Sequence, residues 1–371
     1  MTPHSYLKPD GVYLLSHSIG LLPRAAEEAV LQVYFDPWRE NPADAWTTWL
    51  AAVEGFRKAL ARLFNHAPQW FCPQPNVSAA LSKIIHALPF DPRRSAVLLP
   101  ETSFPSLGFV VDAAKRTGLQ PKFLSSQNAL DAQAWSDAMT PEVGLILLTH
   151  VQSEDGCQQP VADVVRHAHS RGIVSVVDVA QSAGIVPIDL VEWQADFVIG
   201  SSVKWLCGGP GAAFLWVRPE RLASCVPLDT GWFSHAAPFE SDIHSFRPAE
   251  DARRFWGGTP SVLPYVVATA GIRSIEAFGV AAIQAHNRQL CARLMEGLGG
   301  VAVVGSRNLS DRGGTLVLAT KMPSPEAVAR LRAFGIHVDA RAKGVRVSPH
   351  IYTSLDEVDV AIRAFREVLA A

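Results

Sequence analysis

The sequence predicts an α/β protein: a large domain on a mainly parallel sheet, followed by a smaller α+β domain at the carboxyl end. Three observations predict it. The chain has 371 residues, 48% hydrophobic and 18% charged, enough for two buried cores. Apolar runs alternate with helical patterns from Ser95 to Val217, as in parallel strands covered on both faces. After a long helical pattern, Val262 to Leu298, short strands and helices alternate. The expected division is an N-terminal arm at 1–45, a large domain at 46–260, and a linking helix with a small domain at 261–371.

The elements follow in order. Gly20 and Pro23 mark a turn, and an amphipathic helical pattern starts near Arg24. Trp38 to Trp49 is an aromatic cluster, read as packing, with substrate-side lining as the alternative. Glu54 to Phe64 reads as a helix. Pro73-Gln74-Pro75 interrupts the chain, and Asn76-Val77-Ser78 opens a helical pattern through Leu88. A polar residue there is an ordinary N-cap, but a helix amino terminus also attracts anions through its free N–H groups and dipole. Ala96 to Leu99 and Val143 to Thr149 read as buried strands. Ile173 to Val179 is another, with Asp178 at its carboxyl end. Phe197 to Ile199 runs into Gly200-Ser201-Ser202 and then Lys204; Gly208-Gly209-Pro210-Gly211 turns the chain into Ala212 to Val217. In the last part, Val301–Val304, Thr315–Ala319, Ile336–Val338 and Gly344–Val347 read as strands, and Pro325–Phe334 and Leu355–Leu369 as helices.

Bulk properties exclude several classes. The formal net charge is −2 and no basic run occurs, so nucleic acid is not an expected partner. The five cysteines show no paired or metal-ligand spacing; their odd number argues against a complete disulfide framework and suits a reducing cytoplasm. No leader pattern and no bilayer-length apolar stretch is found, so a cytoplasmic protein without a membrane partner is expected. His167 and His169 are two apart and do not share a helix face, so they form no metal pair, and no metal is expected.

Asp178 and Lys204 lie 204 − 178 = 26 residues apart, each just beyond a strand end. Ligands of open α/β sheets bind at the carboxyl ends of strands. Either residue alone is an ordinary loop charge. Together they suit pyridoxal 5'-phosphate (PLP), which needs a lysine amine for a Schiff base and a carboxylate to keep its ring nitrogen protonated.

The sequence Asp178-Val-Ala-Gln181-Ser-Ala-Gly184, Asp196-Phe197, Ser201-Ser-Val-Lys204 and Gly209-Pro210-Gly211 resembles the class V aminotransferase family, and the likeness extends over nearly the whole chain. These are fold-type I PLP enzymes, including cysteine desulfurases, kynureninases, aminotransferases and related lyases. The resemblance implies roles residue by residue. Ser18-Ile-Gly-Leu-Leu-Pro23 is similar to the kynureninase arm that closes over the active site, with His17 where that branch has Asn. Val77 and Ser78 would hold the cofactor phosphate. Phe104, in Glu101-x-x-Phe-Pro-Ser106, would stack on the pyridine ring. Thr149 and Ser153 would face the cofactor. Asp178 would pair with the ring nitrogen and Gln181 with the phenolic oxygen, while Ser201 or Ser202 would reach the phosphate. Trp232, in Gly231-Trp-x-x-His235, would contact a phosphate, and Thr259 would do so from the partner subunit of a homodimer with shared active sites. Arg346 would grip the substrate α-carboxylate by two parallel hydrogen bonds. Lys204 and Asp178 are the expected catalytic pair.

Among reactions, cysteine desulfurases need a nucleophilic cysteine shortly before this arginine, and residues 292–371 contain none. The arm and the segments around Phe104 and Trp232 resemble the kynureninase branch. Val203 departs from it, standing where relatives carry Tyr or His. Gln181 departs too, and residues 40–55 lack the kynureninase aryl-binding pattern. The expectation is a PLP enzyme acting on an amino acid through an external aldimine, with kynureninase-like hydrolytic cleavage between Cβ and Cγ. The alternatives are a class V aminotransferase or other β-lyase, or a non-catalytic PLP-binding protein.

Overall fold

A computed structural model of the chain describes residues 5–369. Its strands, in chain order, are β1 (Val12–Tyr13), β2 (Phe71–Gln74), β3 (Ala96–Pro100), β4 (Gln120–Leu124), β5 (Val143–Thr149) and β6 (Val174–Asp178). They continue with β7 (Phe197–Ser201), β8 (Ala213–Val217), β9 (Leu316–Leu318), β10 (Ile336–His337), β11 (Asp339–Arg341) and β12 (Gly344–Val347). Seven form one sheet in the order β2-β8-β7-β6-β5-β3-β4. From β4 to β7 all neighbours are parallel; β8 runs antiparallel to both β7 and β2.

The sheet sits between two cores because its central strands are largely apolar and buried. β5 reads VGLILLT and is buried throughout. Successive side chains of a strand face opposite sides. Ile146 and Leu148 accordingly join one core with Leu98, Val177, Val198 and Phe214. Leu145 and Leu147 join the other with Val97, Leu99, Val176 and Phe197. Each such side chain contributes roughly 1.5–3 kcal/mol by leaving water. Helices Ala45–Leu63 and Leu263–Phe278 cover the first face, where the rings of Phe56 and Tyr265 lie 4.9 Å apart. Helices Val77–Ala87 and Pro105–Ala113 cover the second through Leu81, Ile84, Leu107 and Val111.

The third core belongs to the carboxyl-terminal part. A three-stranded antiparallel sheet, β11-β12-β9, packs with helices Val280–Gly297, Ser324–Ala333 and Leu355–Leu369. Val12 and Leu14 of the N-terminal arm lie in this same core, and β1 pairs in parallel with β10. The two ends of the chain are therefore packed together.

Three expectations need correction. The helical pattern Val262–Leu298 is two helices meeting at 77°. The break is Gly279, whose φ of +81° lies in the left-handed region that a side chain rarely adopts. Val301–Val304 is not a strand: it runs beside β9 through one bridge, Val303 to Leu318. It sits between Gly299-Gly300 and Gly305 (φ +81°), glycines that break the extended run at both ends. The helix read from Glu54 starts earlier, at Ala45, so Trp46 and Trp49 belong to it. Trp49 is the centre of the aromatic cluster, stacked on Tyr34 and edge-on to Trp38 and Trp46.

Candidate active site

The site is built where the parallel strands end. Thr149 pairs in register with Asp178, and Asp178 with Ile199. The main chain is locked there: Val179 N donates to Ile199 O at 2.8 Å and His150 N to Asp178 O at 2.9 Å. Asp178 is buried, and its Oδ1 accepts from Ala180 N at 2.8 Å. Burial raises its carboxyl above the ordinary range, opposed by that hydrogen bond and by Lys204.

Lys204 follows from the way the chain leaves β7. Ser202 N donates to Ala212 O at 2.9 Å, Gly208 N to Ser202 O at 2.7 Å, and Cys207 N to Lys204 O at 3.0 Å, closing a tight turn. Cys207 holds φ +53° within it, a conformation costly for a residue with a side chain. The turn presents Lys204 with its Nζ 5.7 Å from the centre of the Phe104 ring. Burial pushes its amine down to about 8, helped by the charges of Arg346 and Arg341 and opposed by Asp178. The arm lies against this turn. Gly20 N donates to Val203 O at 2.9 Å, and a Cβ at Gly20 would sit 2.2 Å from Lys204 O, so only glycine permits the approach.

At the helix Val77–Ala87, Asn76 caps the amino terminus by accepting from Ala79 N at 2.8 Å. The N–H groups of Val77 and Ser78 precede the first helical acceptor, so they point outward for an anion. Lys83 of this helix donates to the carbonyls of Phe255 (2.9 Å) and Trp256 (2.7 Å) and pairs with Asp229 at 3.0 Å. It thereby fixes the segment carrying Trp232 and Thr259. Those two meet each other: Trp232 Nε1 donates to Thr259 Oγ1 at 3.3 Å, and both are exposed. Among the described residues, no hydrogen bond or ring contact joins Val77, Ser78, Trp232 or Thr259 to Lys204 in the single chain.

The other wall comes from the carboxyl-terminal sheet. Arg346 on β12 stands opposite Asp339 on β11 and is 2% exposed. Its Nε donates to Asp339 Oδ1 at 2.8 Å, its Nη2 to Asp339 Oδ2, and its Nη1 to Ser153 O at 3.4 Å. Burial by itself would raise the Asp339 carboxyl, but the hydrogen bonds from Arg346 and His17 take it well below the usual range. Gln181 bridges the two walls: its Nε2 donates to His17 O at 3.1 Å and its Oε1 accepts from Trp205 Nε1 at 3.4 Å.

Residues missed from sequence include Gln152, Arg312, His17 and Asp339. Gln152 Nε2 is buried without a partner three residues past β5. Arg312 is buried and donates to the carbonyls of Asp155, Val304, Ser306 and Thr315, tying the loop after β5 to the carboxyl-terminal core. Gln152 lies in the loop after β5 from which the resemblance picked out Thr149 and Ser153 instead; Arg312 sits in no motif. His17 was visible only as the residue replacing an arm Asn.

The side chains present fit pyridoxal phosphate. Thr102 Oγ1, Ser103 Oγ, Thr149 Oγ1, Gln152 Nε2 and Ser202 Oγ are buried without partners among the described residues, all at or just past the carboxyl ends of β3, β5 and β7. Leaving a buried polar group unpaired costs about 1–3 kcal/mol, so such groups cluster where a polar ligand pairs with them. Among the described residues no group of three acidic, histidine or cysteine side chains could hold a metal. No single described helix is long and apolar enough to cross a membrane.

Fold and site together define an enzyme class built around a lysine, a buried aspartate and an anion-binding helix end. Comparison with known proteins makes this specific: the family model Aminotransferase class-V matches residues 25–364, and the chain belongs to that family, whose cofactor is pyridoxal phosphate. It is 32% identical to a kynureninase of Deinococcus radiodurans over 69% of this chain, an alignment spanning 63% of that relative. It is 27% identical to the uncharacterized aminotransferase YcbU of Bacillus subtilis over 85% of this chain and 84% of that one. The apo cysteine desulfurase of Thermococcus onnurineus NA1 superposes with a TM-score of 0.85 at 23% identity, covering 97% of this chain and 95% of that one, a likeness of fold.

Proposed function

We propose that the protein cleaves an amino acid hydrolytically between Cβ and Cγ, in the manner of a kynureninase. The observation that supports it most is Lys204, with its amine lowered to about 8, set between Phe104, Asp178 and the buried Arg346. When bound, the cofactor supplies an aldehyde for Lys204 and an electron-withdrawing ring. Asp178 would keep the ring nitrogen protonated. Arg346 would hold the α-carboxylate, and Gln181 would face the phenolic oxygen. Ser201, Ser202, Val77, Ser78, Trp232 and Thr259 would share the phosphate, and Thr149, Ser153 and Gln152 would line the ring edge. Lys204, as a free amine, would carry a proton to and from Cα; its lowered value gives it a useful neutral fraction near physiological pH. Water adds to the Cγ carbonyl, so one kynurenine and one water give one anthranilate and one alanine.

All five cysteines are buried, which speaks against a persulfide-forming nucleophile and suits a reducing cytoplasm. We also propose a homodimer with shared active sites, because Phe104, Trp232, Phe239 and Ile243 are exposed apolar side chains beside or near the site segments. One observation favours a second reading. Val203 is half-buried, with its N–H donating to Ser201 Oγ at 3.5 Å and its carbonyl accepting from Gly20, and its apolar side chain offers no acid; transamination or another β-lyase reaction needs none there.

The test is product analysis of the PLP-loaded protein with kynurenine and no keto acid. Alanine with anthranilate supports the proposal. A keto acid product that appears only when an amino acceptor is supplied supports the second reading. Bound cofactor with no turnover of any amino acid would leave a PLP-binding protein without catalysis.

A further inference from the structure

Arg346 does not stand alone. Asp339 takes the edge of the guanidinium formed by Nε and Nη2. Nη1 gives one long bond, 3.4 Å, to Ser153 O, and with its second hydrogen the edge between Nη1 and Nη2 is the one that can meet a second carboxylate through two parallel bonds. Arg341 lies 3.6 Å from Asp339 Oδ2, so two guanidinium groups face this one carboxylate, with Glu154 as a further acid acting on Arg341.

Asp339 is in turn held from the opposite end of the chain. His17 is 1% exposed; its Nε2 lies 2.8 Å from Asp339 Oδ1 and its Nδ1 2.6 Å from Ser348 Oγ. Ser348 Oγ lies 2.8 Å from Thr315 Oγ1. One proton arrangement satisfies every atom: Thr315 donates to Ser348, Ser348 to Nδ1 of His17, and Nε2–H of His17 to Asp339. Burial keeps His17 neutral by pushing it down to about 4, consistent with that arrangement. The His17 carbonyl accepts from Gln181, which faces the cofactor side. A single arm residue therefore touches both the ring side and the carboxylate side of the site.

We propose that His17 and Asp339 are positioning residues for substrate recognition: His17 fixes Asp339, and Asp339 turns the outer edge of Arg346 toward the α-carboxylate, so carboxylate recognition requires the arm in place. This rests on Arg346 being the carboxylate clamp. The test uses holoenzyme and two probes, L-alanine and ethylamine, which differ in the carboxylate. Their affinities are read from the cofactor absorbance. The wild type prefers alanine. In Asp339→Asn and His17→Ala that preference falls roughly tenfold. His17→Gln, which keeps a donor, retains most of it, and cofactor affinity stays within about twofold in all three. A purely structural role would weaken both probes equally, and an unchanged preference overturns the proposal. Tighter alanine binding by Asp339→Asn also overturns it, because Asp339 would then compete with substrate. Should Asp339→Asn not fold, the two His17 variants carry the same comparison. Arg346→Ala separates the premises: if it keeps the preference for alanine, the clamp itself is wrongly placed.

Discussion

The two walls of the site are opposites. On the sheet side, Thr149, Gln152 and Ser202 carry buried polar atoms without partners among the described residues. On the carboxyl-terminal side, Arg346, Asp339, His17, Ser348 and Thr315 are joined in one continuous chain of hydrogen bonds. The first wall is arranged for a ligand that completes it. The second is complete without one and presents a single preset edge. A cofactor held through many groups tolerates some of them being incomplete beforehand. A small substrate carboxylate has little binding energy to spend on ordering a guanidinium, so a clamp built on Arg346, as proposed, would be organised in advance.

That contrast can be broken or sharpened by measurement. Asp178→Asn removes the charge proposed to hold the ring nitrogen protonated. A kcat loss on the order of a hundredfold or more is expected, with cofactor still bound; turnover within twofold of wild type would break the assignment of that wall. Arg346→Ala should weaken amino-acid binding roughly ten- to hundredfold while cofactor affinity holds. Equal losses for both would mean that the walls are not separate.

The rate at which cofactor-free protein captures pyridoxal phosphate should rise with pH and level off above about 8, where the Lys204 amine has lost its proton. A rise continuing toward 10.5, the ordinary lysine value, would show that burial does not act on it. The sign for stability follows. Between those values the unfolded chain holds a proton that the folded chain has released, so this group's contribution to stability grows with pH. The smallest effects should have opposite signs. Ser202→Ala deletes an unpartnered hydroxyl and should raise the melting temperature of the cofactor-free protein slightly. Ser348→Ala breaks a satisfied network and should cost about 1 kcal/mol in denaturant unfolding. Two losses of equal size would erase the distinction.

The same contrast explains what the sequence made legible. β5, β6 and β7 are buried on both faces, so they read as apolar runs, and the chemistry sits immediately past their ends. Asp178 and Lys204 were singled out that way, Thr149 through the resemblance, and the fold class was legible with them. β4 reads QPKFL and is half exposed at the sheet edge, so no apolar run marks it. β2 contains Pro73, which an edge strand tolerates but which reads as a stop. The proposed clamp was legible only as Arg346, through the resemblance of its motif. Its supports are distant in sequence: His17 and Asp339 are 322 residues apart, and no local pattern announces a pairing that only packing of the two chain ends creates.

The chemistry turns on one amine. The most direct measurement is borohydride reduction of the PLP-loaded protein, followed by proteolysis and mass mapping of the cofactor adduct. The adduct should fall on Lys204 alone, and Lys204→Ala should carry none. An adduct on another lysine, or fixation persisting in Lys204→Ala, would contradict the assignment and the chemistry proposed from it.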